Sequence, residues 1–376
     1  MKPKASRVVC ASAFVLFWIL LAGQRPATAQ QPQPPAPPAQ PQPSQDQQPG
    51  YAISVTVPVV NLDVAVTDDA GNYLPGLSKE NFRVLEDGKP QVITNFATGE
   101  SPITVVVLVE YSRLGYGWYL YNAVNWADVF LHSLKKNDWV ALESFAMRTK
   151  VEVDFTHDPT EIEQGLSQLM FPIFTESNVF DALVETINRL QDVKGRKAIL
   201  LLASGHDTLS RATLDKTLAK LKETDASIFC VGVAEQEATW EDMSGGPGTS
   251  DITYLQAQNQ LHAFAELTGG RVWFPHFNAE IPNIMSDVAN NLRNEYNLAY
   301  TPNNSNLDGT YRKIKVQLVA PDGGPLTVLD QKGKKRKFVI HARQGYTAPK
   351  NSVADSHPAE PQRSTSITAR QVHPVS

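Results

Sequence analysis

The chain of 376 residues is long enough for about two domains, and with 42% hydrophobic residues it can bury a sizeable core. Its 34 basic residues against 39 acidic ones give a net charge of −5, which argues against a surface built to neutralise phosphates, so no nucleic-acid partner is expected. Two cysteines are too few for a disulfide framework.

The N-terminus reads as an export signal. Lys2, Lys4 and Arg7 precede an apolar run over 8–23, and Ala27-Thr28-Ala29 places small residues where a signal peptidase reads. Residues 1–29 therefore have the layout of a secretory signal peptide, and the protein is expected to be periplasmic or secreted. The alternative is an uncleaved anchor, the one arrangement in which this chain would hold to a membrane. The apolar run falls short of the roughly 20 residues that a span needs. Removal of Lys2, Lys4, Arg7 and Arg25 takes the net charge to about −9. Only Cys230 then remains, inside the apolar run 227–233, where a buried thiol is expected.

Residues 30–50 are almost wholly Pro, Gln, Ala and Ser and read as a disordered linker. Over 51–100 the pattern has period two: Val55, Val57, Val59, Leu62, Val64 and Val66 alternate with small or polar residues, and Asp87-Gly88 marks a turn. This predicts an antiparallel β segment. Over 101–294 the regime changes. The runs 103–109, 198–203 and 227–233 are nearly unbroken apolar stretches, as in strands buried on both faces. Helical spacings alternate with them, at about 121–134, 159–169, 178–191, 211–224, 255–267 and 279–293. The expected fold class is α/β, with a mostly parallel central sheet covered by helices on both faces. Period two returns over 295–348, notably at 311–319 and 338–343. The two β segments, 51–100 and 295–348, are expected to pack into one small β-sandwich-like module into which the α/β domain is inserted. Residues 349–376 read as a disordered tail.

Ligands of open α/β sheets bind beyond the carboxyl ends of the strands, at a switch point in strand order. Three loops qualify. The one after Val109 holds Glu110, Tyr111, Ser112, Arg113 and Leu114; the one before Asn178 holds Ser177; the one after Ala203 holds Ser204, His206, Asp207 and Ser210. Each polar residue also has a purely structural reading: Ser177 and Ser210 as helix N-caps, Asp207 as a capping or solvated loop carboxylate, Glu110 as an exposed carboxylate at a strand end. Ser204, His206 and Asp207 are the residue types of a nucleophile–base–orienter chain, but near neighbours in one loop do not readily adopt that geometry. No Gly-x-Ser-x-Gly, His-Glu-x-x-His or phosphate-binding Gly-Lys-Ser sequence accompanies them. An exported hydrolase is thus the weaker reading.

The first loop is rich in other chemistry. Tyr111, Tyr116, Trp118, Tyr119 and Tyr121 crowd into one stretch with Arg113. Tyr, Trp and Arg are the types that anchor protein interfaces. Tyr111, Arg113, Tyr116, Trp118 and Tyr119 are accordingly the candidate contacts for an unidentified protein partner, although Tyr121 fits the core face of the following helix.

The order of these elements resembles that of a von Willebrand factor A domain. The whole layout is similar to the bacterial group of VWFA-related domain proteins: a signal peptide, a β segment with VLEDGKPQVITNF, the A domain, then YNLAYTP, GTYRKIKVQL and ARQGYTAP. The resemblance covers about 53–349. It implies a Rossmann-like A domain and a non-enzymatic binding or adhesion role, with a structural subunit of an envelope assembly as the alternative. Many members carry a metal-ion-dependent adhesion site, with Asp-x-Ser-x-Ser in the first loop, Thr in the second and Asp in the third. Here Glu110 stands for the first Asp, Ser112 is kept, Leu114 replaces the second Ser, Ser177 stands for Thr and Ser204 for the third-loop Asp, with Asp207 three residues on. Mg²⁺ needs near-octahedral oxygen ligands. Leu114 supplies none and Ser204 supplies no charge, so the resemblance implies a degenerate site that binds Mg²⁺ weakly or not at all, and no other cofactor is expected.

Overall fold

A computed structural model of the chain describes residues 59–68, 71–98, 101–113, 123–169, 172–232, 251–329 and 335–350. The expected signal peptide, the linker, most of the tail, and Leu114, Tyr116, Trp118, Tyr119 and Tyr121 lie outside them. No helix among the described residues is long and apolar enough to cross a membrane.

The α/β part is built on six strands: β5 (Ile103–Glu110), β6 (Trp139–Phe145), β7 (Thr149–Thr156), β8 (Arg196–Ala203), β9 (Ser227–Gly232) and β10 (Val272–Trp273). They lie in the order β10-β9-β8-β5-β6-β7, all parallel except β7, which runs antiparallel at one edge. In that sheet's own succession this is the doubly wound order 3-2-1-4-5-6, with its reversal between β5 and β8. Both switch-point strands are buried at every position, which explains why their sequences do not alternate.

Successive residues of β5 serve opposite cores. Val105, Val107 and Val109 face the layer formed by α1 (Ala123–Ser133), α2 (Pro159–Gln168) and α6 (Ile281–Arg293), where Phe130, Ile162 and Met285 are buried. Val106 and Leu108 face α3 (Val179–Leu190), α4 (Leu214–Glu223) and α5 (Asp251–Thr268), against Leu183, Leu221 and Phe264. The period-two geometry of a strand makes this division. At the tight crossing between β9 and the turn before β10, only Gly fits at 270, because a Cβ there would lie 1.9 Å from the Ile228 carbonyl oxygen.

The remaining strands come from both sides of this unit. β1 (Val60–Asp68) and β4 (Ile93–Thr98) join β11 (Tyr296–Tyr300) and β15 (Phe338–Ala342) in the order β15-β1-β11-β4. β2 (Phe82–Glu86) and β3 (Lys89–Gln91) join β12 (Tyr311–Leu318) and β16 (Gly345–Thr347) in the order β16-β12-β2-β3. Leu62, Val64, Phe82, Val84, Tyr296, Leu298 and Val316 share one core between the two sheets. Within it Glu86 accepts the hydroxyls of Tyr300 at 2.8 Å and Tyr346 at 3.0 Å and lies 3.4 Å from Arg312, so a buried charge is both paired and hydrogen-bonded. A short hairpin, β13 (Val328–Leu329) with β14 (Lys335–Arg336), was not foreseen from the sequence. Its strands are too short to show periodicity.

Candidate functional site

Glu110 ends β5 and Ser204 follows β8, so the two meet where the strand order reverses. The side chain of Glu110 is fully buried, against the expectation of an exposed strand-end carboxylate. Its Oε2 accepts the Ser204 backbone N–H at 2.6 Å, and its Oε1 accepts the Ser112 hydroxyl, also at 2.6 Å. Ser112, Ser177 and Ser204 are all buried as well. The Ser177 hydroxyl lies near enough to favour the charged carboxylate, yet it reaches no partner with good hydrogen-bond geometry. Burial pushes the Glu110 carboxyl above its ordinary range, and bonds from Ser112 and Ser204 hold it back in part.

The surrounding loops are stitched together by backbone bonds. Arg113 N donates to Phe174 O at 2.9 Å, and Thr208 N to Ser177 O at 2.8 Å. Ser177 N donates to the Thr208 hydroxyl at 2.9 Å, and the Asn178 amide to Met147 O at 3.0 Å. Gly205 has φ +85°, a conformation that L side chains rarely adopt, and a Cβ there would lie 2.8 Å from Ala257 O, so the third loop turns sharply against α5.

Asp207 is not turned to the carboxylate cluster. Its Oδ1 accepts Phe180 N at 3.1 Å and the Ser210 hydroxyl at 2.5 Å, so it caps the first turn of α3 from a neighbouring loop. That corrects two expectations. The N-cap position of α3 belongs to Asn178 and not to Ser177. Ser210 caps no helix of its own; its hydroxyl accepts Asp181 N at 3.1 Å, while Thr213 caps α4. Nor do Ser204, His206 and Asp207 form a relay. Ser204 Oγ accepts the backbone N–H of His206 at 3.2 Å, and the Asp207 carboxylate is engaged by α3 and Ser210.

The residues here do not fit a divalent cation. The cluster holds one carboxylate, both of its oxygens already accept protein donors, and the nearby Asp207 carboxylate is spent on a helix end. Among the described residues no group of three His, Cys, Asp or Glu could hold a metal ion.

Of the candidate contacts, Arg113 is exposed and Tyr111 is half-buried, its ring packed on the core layer beside α1. The same edge carries apolar side chains that the sequence did not single out. Ile173 is 72% exposed, Leu209 59% and Phe277 67%; Phe174, next to Ile173 in the chain, and Met147, after β6, are exposed as well. They sit in loops without periodicity; the sequence FPIFTES offered only an unusual apolar content as a signal.

No family model matches the chain, and no curated protein matches it. Solved structures resemble it in fold. BatB from Bacteroides thetaiotaomicron, described as a conserved hypothetical protein, is 15% identical with a TM-score of 0.38, over 51% of this chain and 98% of that one. The von Willebrand factor type A protein from Catenulispora acidiphila is 12% identical with a TM-score of 0.41, over 71% and 74%. Proximal thread matrix protein 1 of the mussel byssus, with a zinc-occupied adhesion motif, is 14% identical with a TM-score of 0.40, over 55% and 49%. These likenesses are shallow, and the strand order carries the assignment of fold. With the reversal between β5 and β8, one antiparallel edge strand and helices on both faces, the α/β domain has a doubly wound, Rossmann-like fold.

Proposed function

We propose that the protein is an exported, non-enzymatic binding module whose protein partner docks on the loops at the carboxyl edge of the sheet without a bridging cation. The observation that carries this is the contrast at that edge. The carboxylate at the switch point is buried and held by Ser112 and Ser204, while Ile173, Leu209, Phe277 and Arg113 stand exposed on loops of the same edge of the sheet. Exposed apolar side chains on the loops of one edge mark interaction surfaces, and a cation would have to compete with Ser112 and Ser204 for a carboxylate buried beneath those loops. Export rests on the layout of residues 1–29.

Site-specific photo-crosslinking in the cell that makes the protein tests this. A crosslinker at Phe174 or Leu209 is expected to trap a discrete partner, with and without EDTA. One at Val92, 73% exposed on the β-sandwich, is expected to trap none. Adducts from Val92 alone would move the interface to the sandwich and favour a structural subunit. Adducts lost in EDTA would restore a bridging cation.

A further inference from the structure

A cleft of about 560 Å³ opens between the outer face of the β15-β1-β11-β4 sheet and the base of the α/β domain, at the end opposite to the carboxyl edge. Its floor is set by register. Asn61 pairs with Ala299 and Ala299 with Asn95, so one row across three strands reads Asn–Ala–Asn. The next row reads Asp63–Asn297–Ala97. All six side chains point away from the sandwich core, whose residues are their neighbours in sequence. The alanines leave room above the sheet, and the asparagines stand beside that room with both donors and acceptors.

Arg196 closes the inner end. It is 9% exposed, and its Nη2 is spent on Leu292 O and on Glu295. Its Nε and Nη1 donate no hydrogen bond, although Nε lies 3.5 Å from Asp63 Oδ1. Asp63 Oδ1 also accepts the amide of Asn297, whose own Oδ1 is buried without a partner. Two donor atoms of Arg196 and one acceptor of Asn297 are thus buried without a hydrogen-bond partner behind the inner wall of the cleft, beside Asp63.

The chemistry of the occupant follows from the charges. The charged residues that line the cleft are Lys194, Arg196, Asp63 and Asp225, two of each sign, so neither an anion nor a cation gains from the site. Asn61 and Asn95 are exposed in the lining and offer amide donors and acceptors together, which a ligand carrying several hydroxyls can match on both counts. The volume lies within the range of small-molecule sites. We infer that this cleft is a binding site for a small, uncharged, polyhydroxylated ligand, a mono- or disaccharide. It is independent of the carboxyl-edge interface.

Saturation-transfer NMR and calorimetry on the mature chain, with glucose, galactose, N-acetylglucosamine and trehalose as probes and glucuronate and glucosamine as charged counterparts, test the inference. At least one neutral sugar is expected to bind and to do so better than either charged counterpart. Asn61→Ala and Asn95→Ala, both at exposed positions, are expected to weaken it about tenfold each without lowering the melting temperature. Ala97→Leu, which fills the floor, is expected to abolish it. If none of the neutral probes binds, or if binding survives all three substitutions, the cleft holds water only and the inference fails. Stronger binding of a charged counterpart would also overturn it.

Discussion

Glu110 Oε2 receives the backbone N–H of Ser204 at 2.6 Å, across the point where the strand order of the sheet reverses. The bond joins the ends of two strands that are adjacent in the sheet and far apart in sequence. It also places a carboxylate, fully enclosed, where an open α/β sheet ordinarily presents a ligand site.

Removing that carboxylate is expected to be costly. In Glu110→Ala the buried N–H of Ser204 is stranded and the Ser112 hydroxyl loses its acceptor, a loss of about 2–4 kcal/mol. Glu110→Gln keeps an acceptor for Ser204 and is expected to lose less. The two also differ in pH dependence. Burial raises the carboxyl in the folded state, so the folded chain holds that proton more tightly than the unfolded one. This contribution to stability is present below the unfolded carboxylate range and is lost as pH rises through the folded value. Denaturant unfolding across that range should show a shallower slope for Glu110→Gln than for the wild type. Equal slopes would place the proton elsewhere.

A second buried acid gives a separate pH signature. Glu295 pairs with Arg196 beside Asp63 where the sandwich meets the α/β domain. Burial first, and then the Asp63 charge, push its carboxyl up to about 8, with Arg196 opposing. The sign is again that of a raised acid: stability declines as pH rises from the ordinary carboxylate range to about 8. Glu295→Gln is expected to flatten this decline in urea titrations. Arg196→Met leaves Glu295 and Asp63 without their cation and is expected to lose about 3–5 kcal/mol, least at low pH, where they are protonated.

Cys230 is wholly buried in β9, and burial pushes its thiol far above the ordinary range. A thiol reagent should therefore leave the native protein unlabelled at pH 8 and label it fully in denaturant. Rapid labelling of the native chain would contradict the placement of β9.

The fold was legible where burial is two-sided or alternating. The unbroken runs of β5, β8 and β9 and the period two of β12 follow directly from how strands meet solvent. The site was legible in its loops and only partly in its contacts. Sequence brought Glu110, Ser112, Ser177 and Ser204 to one edge, but not the burial of Glu110, which depends on how the three loops close over it. Asp207 was placed in the right loop, yet its direction is fixed by Phe180 N on a helix that begins far back in the chain. Ile173 and Leu209 carry no pattern at all, because exposure of a loop residue has no period.

The metal-free switch point is tested most directly by thermal unfolding of residues 30–376 in EDTA and in millimolar Mg²⁺ or Mn²⁺. A cation bound only by the folded chain must raise the melting temperature. With both oxygens of Glu110 held by Ser112 and Ser204, the expected result is the same melting temperature in all three conditions. A rise with either cation that disappears in Glu110→Ala would show that the cluster opens to a metal, and would contradict the account.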